Sequence, residues 1–182
     1  MNPVDFNRIS TTYADITSGL AWSWACRHFE RAERILYIGH GGNLAIADHA
    51  AVDCTRITKG RKIGIAPGSA VVATSFINDF GWAEWLSTWV KFQAMLPGPM
   101  CAVVLTTSGR ADDIISAIKT LNVCGIPVVC ITARTLAVEG QPLDQYVELL
   151  LDVDTYHDAE IASLGISYDL LTATGFECPR IK

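Results

Sequence analysis

Two glycine-bearing turns and one histidine–aspartate pair carry most of the chemistry legible in this 182-residue chain. The first turn is Gly39-His40-Gly41-Gly42-Asn43, set between an apolar run and an alanine-rich segment. Its glycines let the backbone approach a ligand closely, and the free N–H groups of a following helix favour an anion. The second turn, Thr106-Thr107-Ser108-Gly109, offers three hydroxyls at another helix start, with Arg110 directly after it. Hydroxyls and helix N–H donors without a lysine suit a sugar phosphate. The Walker lysine of nucleoside triphosphate sites is absent, so no nucleotide is expected. Either turn alone would also serve as ordinary chain geometry with a hydroxyl cap. His49 and Asp53 stand four residues apart and so share one helix face. By spacing alone that pair is most simply a surface hydrogen bond.

The elements that position these residues follow from the hydrophobic pattern. Residues 5–33 contain only Gly19 as a breaker, and Ile9, Tyr13, Ile16, Leu20 and Trp24 recur at helical spacing. This predicts one long leading helix or two in tandem. Apolar runs at 35–38, 70–74, 101–107, 127–132 and 147–151 predict five strands. Between and after them, residues 44–58, 82–96, 110–121 and 155–173 predict helices, the first with Asn43 as N-cap. Continuous apolar strands alternating with helices mean a parallel sheet covered on both faces. The expectation is a three-layer α/β/α sandwich spanning 1–182 as one domain, with 1–33 as a leading helical segment and 34–182 as the α/β core. In such a sheet, ligands bind beyond the carboxyl ends of the strands, where both polar turns fall.

Composition narrows the partners. Hydrophobic residues make up 50% of the chain and charged residues only 18%, which excludes intrinsic disorder and suggests surface hidden in an oligomer. The net charge is −5, and the fourteen Lys and Arg form no basic run, so nucleic acid is not an expected partner. No apolar stretch is long enough to span a membrane, and no signal peptide is legible. The six cysteines include no C-x-x-C pair. A cytoplasmic location is expected. Trp82, Trp85 and Trp89 lie at helical spacing and predict a core or subunit seam.

Taken together, residues 39–53, Asn78-Asp79-Phe80-Gly81 and Leu105-Thr106-Thr107-Ser108-Gly109 resemble the sugar isomerase domain, and within it the phosphoheptose isomerase family. That family typically has Gly-Asn-Gly-Gly-Ser in the first turn, then a His and a Glu four residues apart, and a Ser-Thr-Ser-Gly phosphate loop. The resemblance implies an aldose–ketose isomerase acting on a sugar phosphate, with sedoheptulose 7-phosphate converted to a heptose 7-phosphate. It implies substrate contacts from Gly41, Gly42, Asn43, Asp79, Thr106, Thr107, Ser108 and Arg110. It places a metal ligand at His49 and the catalytic carboxylate at Asp53, here one methylene shorter than the usual Glu. On the last helix the family's Gln and His positions fall on Glu160 and Tyr168. His157, one turn before Glu160, is a substitute for the missing His. The implied assignments are Asp53 as base, Tyr168 or His157 as acid, and His49, Asp53 and Glu160 as ligands of a zinc ion. His40 replaces the family's Asn and would bind a sugar hydroxyl or cap the turn. A homotetramer is implied as well. The altered positions leave a second reading from another class. It is an oligomeric assembly or regulatory factor that binds sugar phosphate without turnover, similar to the replication initiator-associating relatives.

Overall fold

The computed structural model describes residues 3–136 and 145–181. The leading segment is two helices, α1 (Phe6–Ser18) and α2 (Leu20–Arg31), divided at Gly19. Then come β1 (Arg34–Ile38), α3 (Gly42–Ile57), β2 (Ile63–Ile65), α4 (Ala70–Phe80), α5 (Trp85–Ala94), β3 (Met100–Thr106), α6 (Asp112–Val123), β4 (Val128–Thr132), β5 (Tyr146–Leu150) and α7 (Tyr156–Ala173). The five strands are all parallel, in the order β2-β1-β3-β4-β5. This is the flavodoxin-like order, with its switch point between β1 and β3.

Strand residues alternate between two cores, which makes the three layers. Ile35, Tyr37, Cys101, Val103, Leu105, Val129 and Ile131 face α1, α2, α3 and α7. Leu36, Ile38, Ala102, Val104, Val128 and Cys130 face α5 and α6. Nearly every central-strand side chain is buried on one face or the other. That explains why these strands read as unbroken apolar runs rather than as alternation.

One expected strand is a helix. Residues 70–74 are rich in β-branched side chains, yet the Ser69 hydroxyl accepts from the Val72 N–H and starts α4. Val72, Ala73, Phe76 and Ile77 then pack on the second core at helical spacing. The actual second strand is the edge strand Ile63–Ile65. There a Cβ on Gly64 would lie 2.2 Å from the Ala51 carbonyl oxygen, so glycine lets α3 seat against the sheet. The expected N-cap also moves. Gly41 caps α3 with φ 54, a backbone region that favours glycine, and Asn43 lies inside the first turn.

Candidate functional site

The glycine turn after β1 and the hydroxyl turn after β3 meet at the switch point. They line a cleft of about 290 Å³ with His40, Gly41, Gly42, Asn43, Thr106, Thr107 and Ser108 on these turns, closed by Tyr156 and Glu160 of α7. A Cβ on Gly42 would stand 2.1 Å from Glu160 Oε1, so the glycine makes room for that carboxylate. Asn43 is buried. Its Nδ2 donates to Thr107 Oγ1 at 3.2 Å, while its Oδ1 has no hydrogen-bond partner among the described residues. A buried amide oxygen without a donor is costly unless a ligand supplies one. A second depression of about 210 Å³ shares Thr107, Ser108 and Tyr156 and adds Arg110 and Arg134. Two arginines beside two hydroxyls are chemistry suited to an anion, although the Asp154 carboxylate shares the same wall.

His40 forms part of the cleft and rests on an unexpected support. Its Nε2 lies 2.6 Å from Asp113 Oδ2, off the line of the ring N–H. Asp113 is fully buried in the first turn of α6; its Oδ2 also accepts from Trp85 Nε1 at 2.8 Å, and its Oδ1 from the Ile114 N–H. Trp82 stacks on the imidazole at 5.3 Å between ring centroids. Trp85 and Trp89 are core residues as expected, whereas Trp82 is half exposed and stacks on His40. Sequence reasoning missed Asp113. Its only signal is an acidic residue opening a helix, which is commonplace.

The His49–Asp53 pair lies in the seam between α3 and α7. Asp53 is buried, with side-chain exposure of 7%. Its Oδ2 accepts from the Tyr168 hydroxyl at 2.7 Å and lies 3.3 Å from His49 Nε2. Its Oδ1 accepts from Arg56 Nη2 at 2.7 Å and Nε at 3.1 Å. The Tyr168 hydroxyl is also 2.6 Å from His49 Nε2. Burial pushes the Asp53 carboxyl up, but Tyr168, Arg56 and His49 together outweigh it and hold its pKa below the usual aspartate value. Burial, and then the bond to Asp53, push the Tyr168 phenol up to about 12.

The structure therefore divides the expected site residues into groups. Gly41, Gly42, Asn43, Thr106, Thr107, Ser108 and Glu160 meet in the cleft, with Arg110 next door. His49, Asp53 and Tyr168 meet in the seam. Along α3, Gly42 and Asp53 are eleven residues apart, about 16 Å of helix rise; along α7, Glu160 and Tyr168 are about 12 Å apart. The helix thus carries His49 and Asp53 away from the end of β1 and against α7. His157 is exposed on the first turn of α7 and does not line the cleft. Asp79 is exposed on α4, accepts from Asn78 Nδ2 at 3.0 Å and likewise does not line the cleft. The three residues expected as zinc ligands are split between the cleft and the seam. Glu160 faces Gly42 rather than His49 and Asp53, and among the described residues no three His, Cys, Asp or Glu side chains converge.

Known proteins agree with this architecture. No family model matches the chain. Curated sequences do. The phosphoheptose isomerase of Campylobacter concisus is 26% identical over 154 residues, covering 82% of this chain and 78% of that protein. The phosphoheptose isomerase of Roseiflexus is 26% identical over 143 residues, covering 76% and 70%. The solved phosphoheptose isomerase of Neisseria gonorrhoeae superposes with a TM-score of 0.76 at 20% identity, covering 93% of this chain and 94% of that one. The chain shares its fold with this solved structure and is similar in sequence to proteins named phosphoheptose isomerase. The Francisella tularensis enzyme superposes equally well, with a TM-score of 0.75. The five-stranded parallel sandwich with its leading helices is thus shared with solved structures of that name. Among the described residues no helix is long and apolar enough to cross a membrane.

Proposed function

We propose that the chain is an aldose–ketose isomerase acting on a phosphorylated sugar, with sedoheptulose 7-phosphate and a heptose 7-phosphate as its pair. The observation that carries this reading is the switch-point cleft, with hydroxyls, two arginines next door and an unpaired buried amide oxygen. The similarity to proteins named phosphoheptose isomerase supports the reaction class. Thr107, Ser108 and Arg110 bind the phosphate, and the carbon chain runs along the α3–α7 seam.

Isomerisation moves a proton between C1 and C2 through an enediol, and a donor must steady the developing oxygen charge. Asp53 is the base. Its low pKa keeps it deprotonated near neutrality, and its four contacts fix its direction. Tyr168, raised to about 12, keeps its proton and is the donor to the sugar oxygen. His49 orients the phenol. The fully engaged carboxylate also favours a second reading, a sugar-phosphate-binding assembly factor, because a ligand must displace one of those contacts before Asp53 can act.

Deuterium exchange decides between them. Wild type in D₂O, offered ketose phosphates of five to seven carbons, incorporates deuterium into one of them if it is an isomerase. Asp53→Asn then keeps its phosphate affinity and loses on the order of 10²–10⁴ in rate. Absence of exchange with wild type replaces the enzyme by the binding factor. Exchange that survives Asp53→Asn moves the base elsewhere, with Glu160 next in line.

A further inference from the structure

His40 and Asp113 form a dyad that the isomerisation step does not use. A histidine that merely tied the β1 turn to α6 would be buried with its partner. Here Asp113 is fully buried, whereas His40 keeps 26% of its side-chain surface and forms part of the cleft wall. The burial of Asp113 is supported by the Trp85 indole, the Ile114 peptide N–H and the start of α6. Its Oδ2 lies 2.6 Å from Nε2, and Trp82 covers the ring face. Nδ1 makes no hydrogen bond among the described residues and is left for a ligand. A buried carboxylate beside a partly exposed imidazole is one arrangement that suits proton transfer.

We propose that His40 opens the ring of a cyclic sugar phosphate, with Asp113 as its positioning residue. The proposal rests on the sugar-phosphate reading above. A seven-carbon ketose phosphate closes a ring when a chain hydroxyl adds to its carbonyl, and only the open form can enolise. Thr107 and Ser108, which hold the phosphate, stand in the same cleft as His40. They bring the ring oxygen, near the phosphate end of the sugar, to the imidazole. Protonated His40 gives its Nδ1 proton to the ring oxygen as the C–O bond breaks. The anomeric hydroxyl passes its proton to water as the carbonyl forms, and the imidazole is reprotonated from solvent. No electrons are gained or lost. The other ionisable groups facing this cleft are Glu160 and Tyr156 of α7, with Arg110 next door.

Anomer interconversion of sedoheptulose 7-phosphate, followed by NMR magnetisation exchange, reads ring opening without isomerisation. Wild type should accelerate it. His40→Asn keeps a polar side chain on the turn but removes the proton carrier, and should slow the catalysed exchange at least tenfold with ligand affinity within about threefold. Asp113→Asn should slow it as well while near-ultraviolet circular dichroism stays native; if that variant does not fold, His40→Asn decides alone. A His40→Asn protein that catalyses anomer exchange like wild type overturns the proposal, as does a wild type that gives no acceleration. Deuterium incorporation measured in parallel separates this from the isomerase reading. His40-dependent anomer exchange without deuterium incorporation sinks the isomerase and leaves the ring-opening dyad standing. Deuterium incorporation with His40-independent anomer exchange does the reverse.

Discussion

Replacing Asp53 by Asn should cost the fold about 1–2 kcal/mol at neutral pH, and progressively less in acid. The Tyr168 hydroxyl, at 2.7 Å, is the best-shielded of its donors, and a hydrogen bond to a charged acceptor is worth about 1.5–3 kcal/mol against about 1 for a neutral one. An Asn carbonyl still accepts from Tyr168, so only that difference is lost. Arg56 and His49 are 64% and 58% exposed, so their pairings are screened and add at most about 0.5 kcal/mol each. For a chain of this length each kcal/mol moves Tm by about 2–4 °C, so Tm should fall by about 2–8 °C. The folded pKa of Asp53 is below its unfolded value of about 3.9. Its contribution is therefore fully present above the unfolded pKa and is lost as pH falls through the folded one. Thermal unfolding of both proteins by circular dichroism, at pH 7 and in steps down to pH 3, should show the gap narrowing with acid. Equal Tm values at pH 7, or a gap that widens in acid, would refute the electrostatic account of the seam.

Two further outcomes are expected. Thr107→Ala combined with Ser108→Ala should weaken sugar-phosphate binding by about 1–2 kcal/mol per lost hydrogen bond; unchanged affinity by calorimetry would remove the loop from the site. The chain should be a homo-oligomer, with a tetramer the expected size. Helix α4 has no buried residue although it is rich in apolar side chains, and Val71, Phe80, Trp82, Phe92, Met95 and Leu96 are all exposed. Light scattering at micromolar concentration that gave a mass near 20 kDa would defeat this.

Much of the layered fold is local in origin, and so legible in the chain. Runs such as Cys101–Thr106 are apolar throughout because both faces of the sheet are covered, and Gly39–Asn43 punctuates strand and helix by backbone geometry alone. At 70–74 the local pattern and the fold disagree. Val71 and Val72 favour a strand intrinsically, but the Ser69 cap and the packing of Phe76 and Ile77 on the second core decide for a helix. Ile63–Ile65 is too short for a pattern, and it is a strand because Arg34–Leu36 lies beside it to pair with.

The two polar turns and the His49–Asp53 pair are likewise visible in the sequence, since each depends on neighbours within a few residues. Their relation is not. Spacing on α3 fixes that His49 and Asp53 share a face, but only the packing of α7 shows that this face meets Tyr168 while Glu160 stays in the cleft. Asp113 is the clearest case. It lies 73 residues from His40 in the chain, and nothing about an acidic residue at a helix start marks it as the buried support of an imidazole. The sheet order, which sets β1 beside β3, brings the ends of those strands together and so makes the pair. Side-chain type and period are written residue by residue, whereas which side chains share a cavity depends on how distant segments pack.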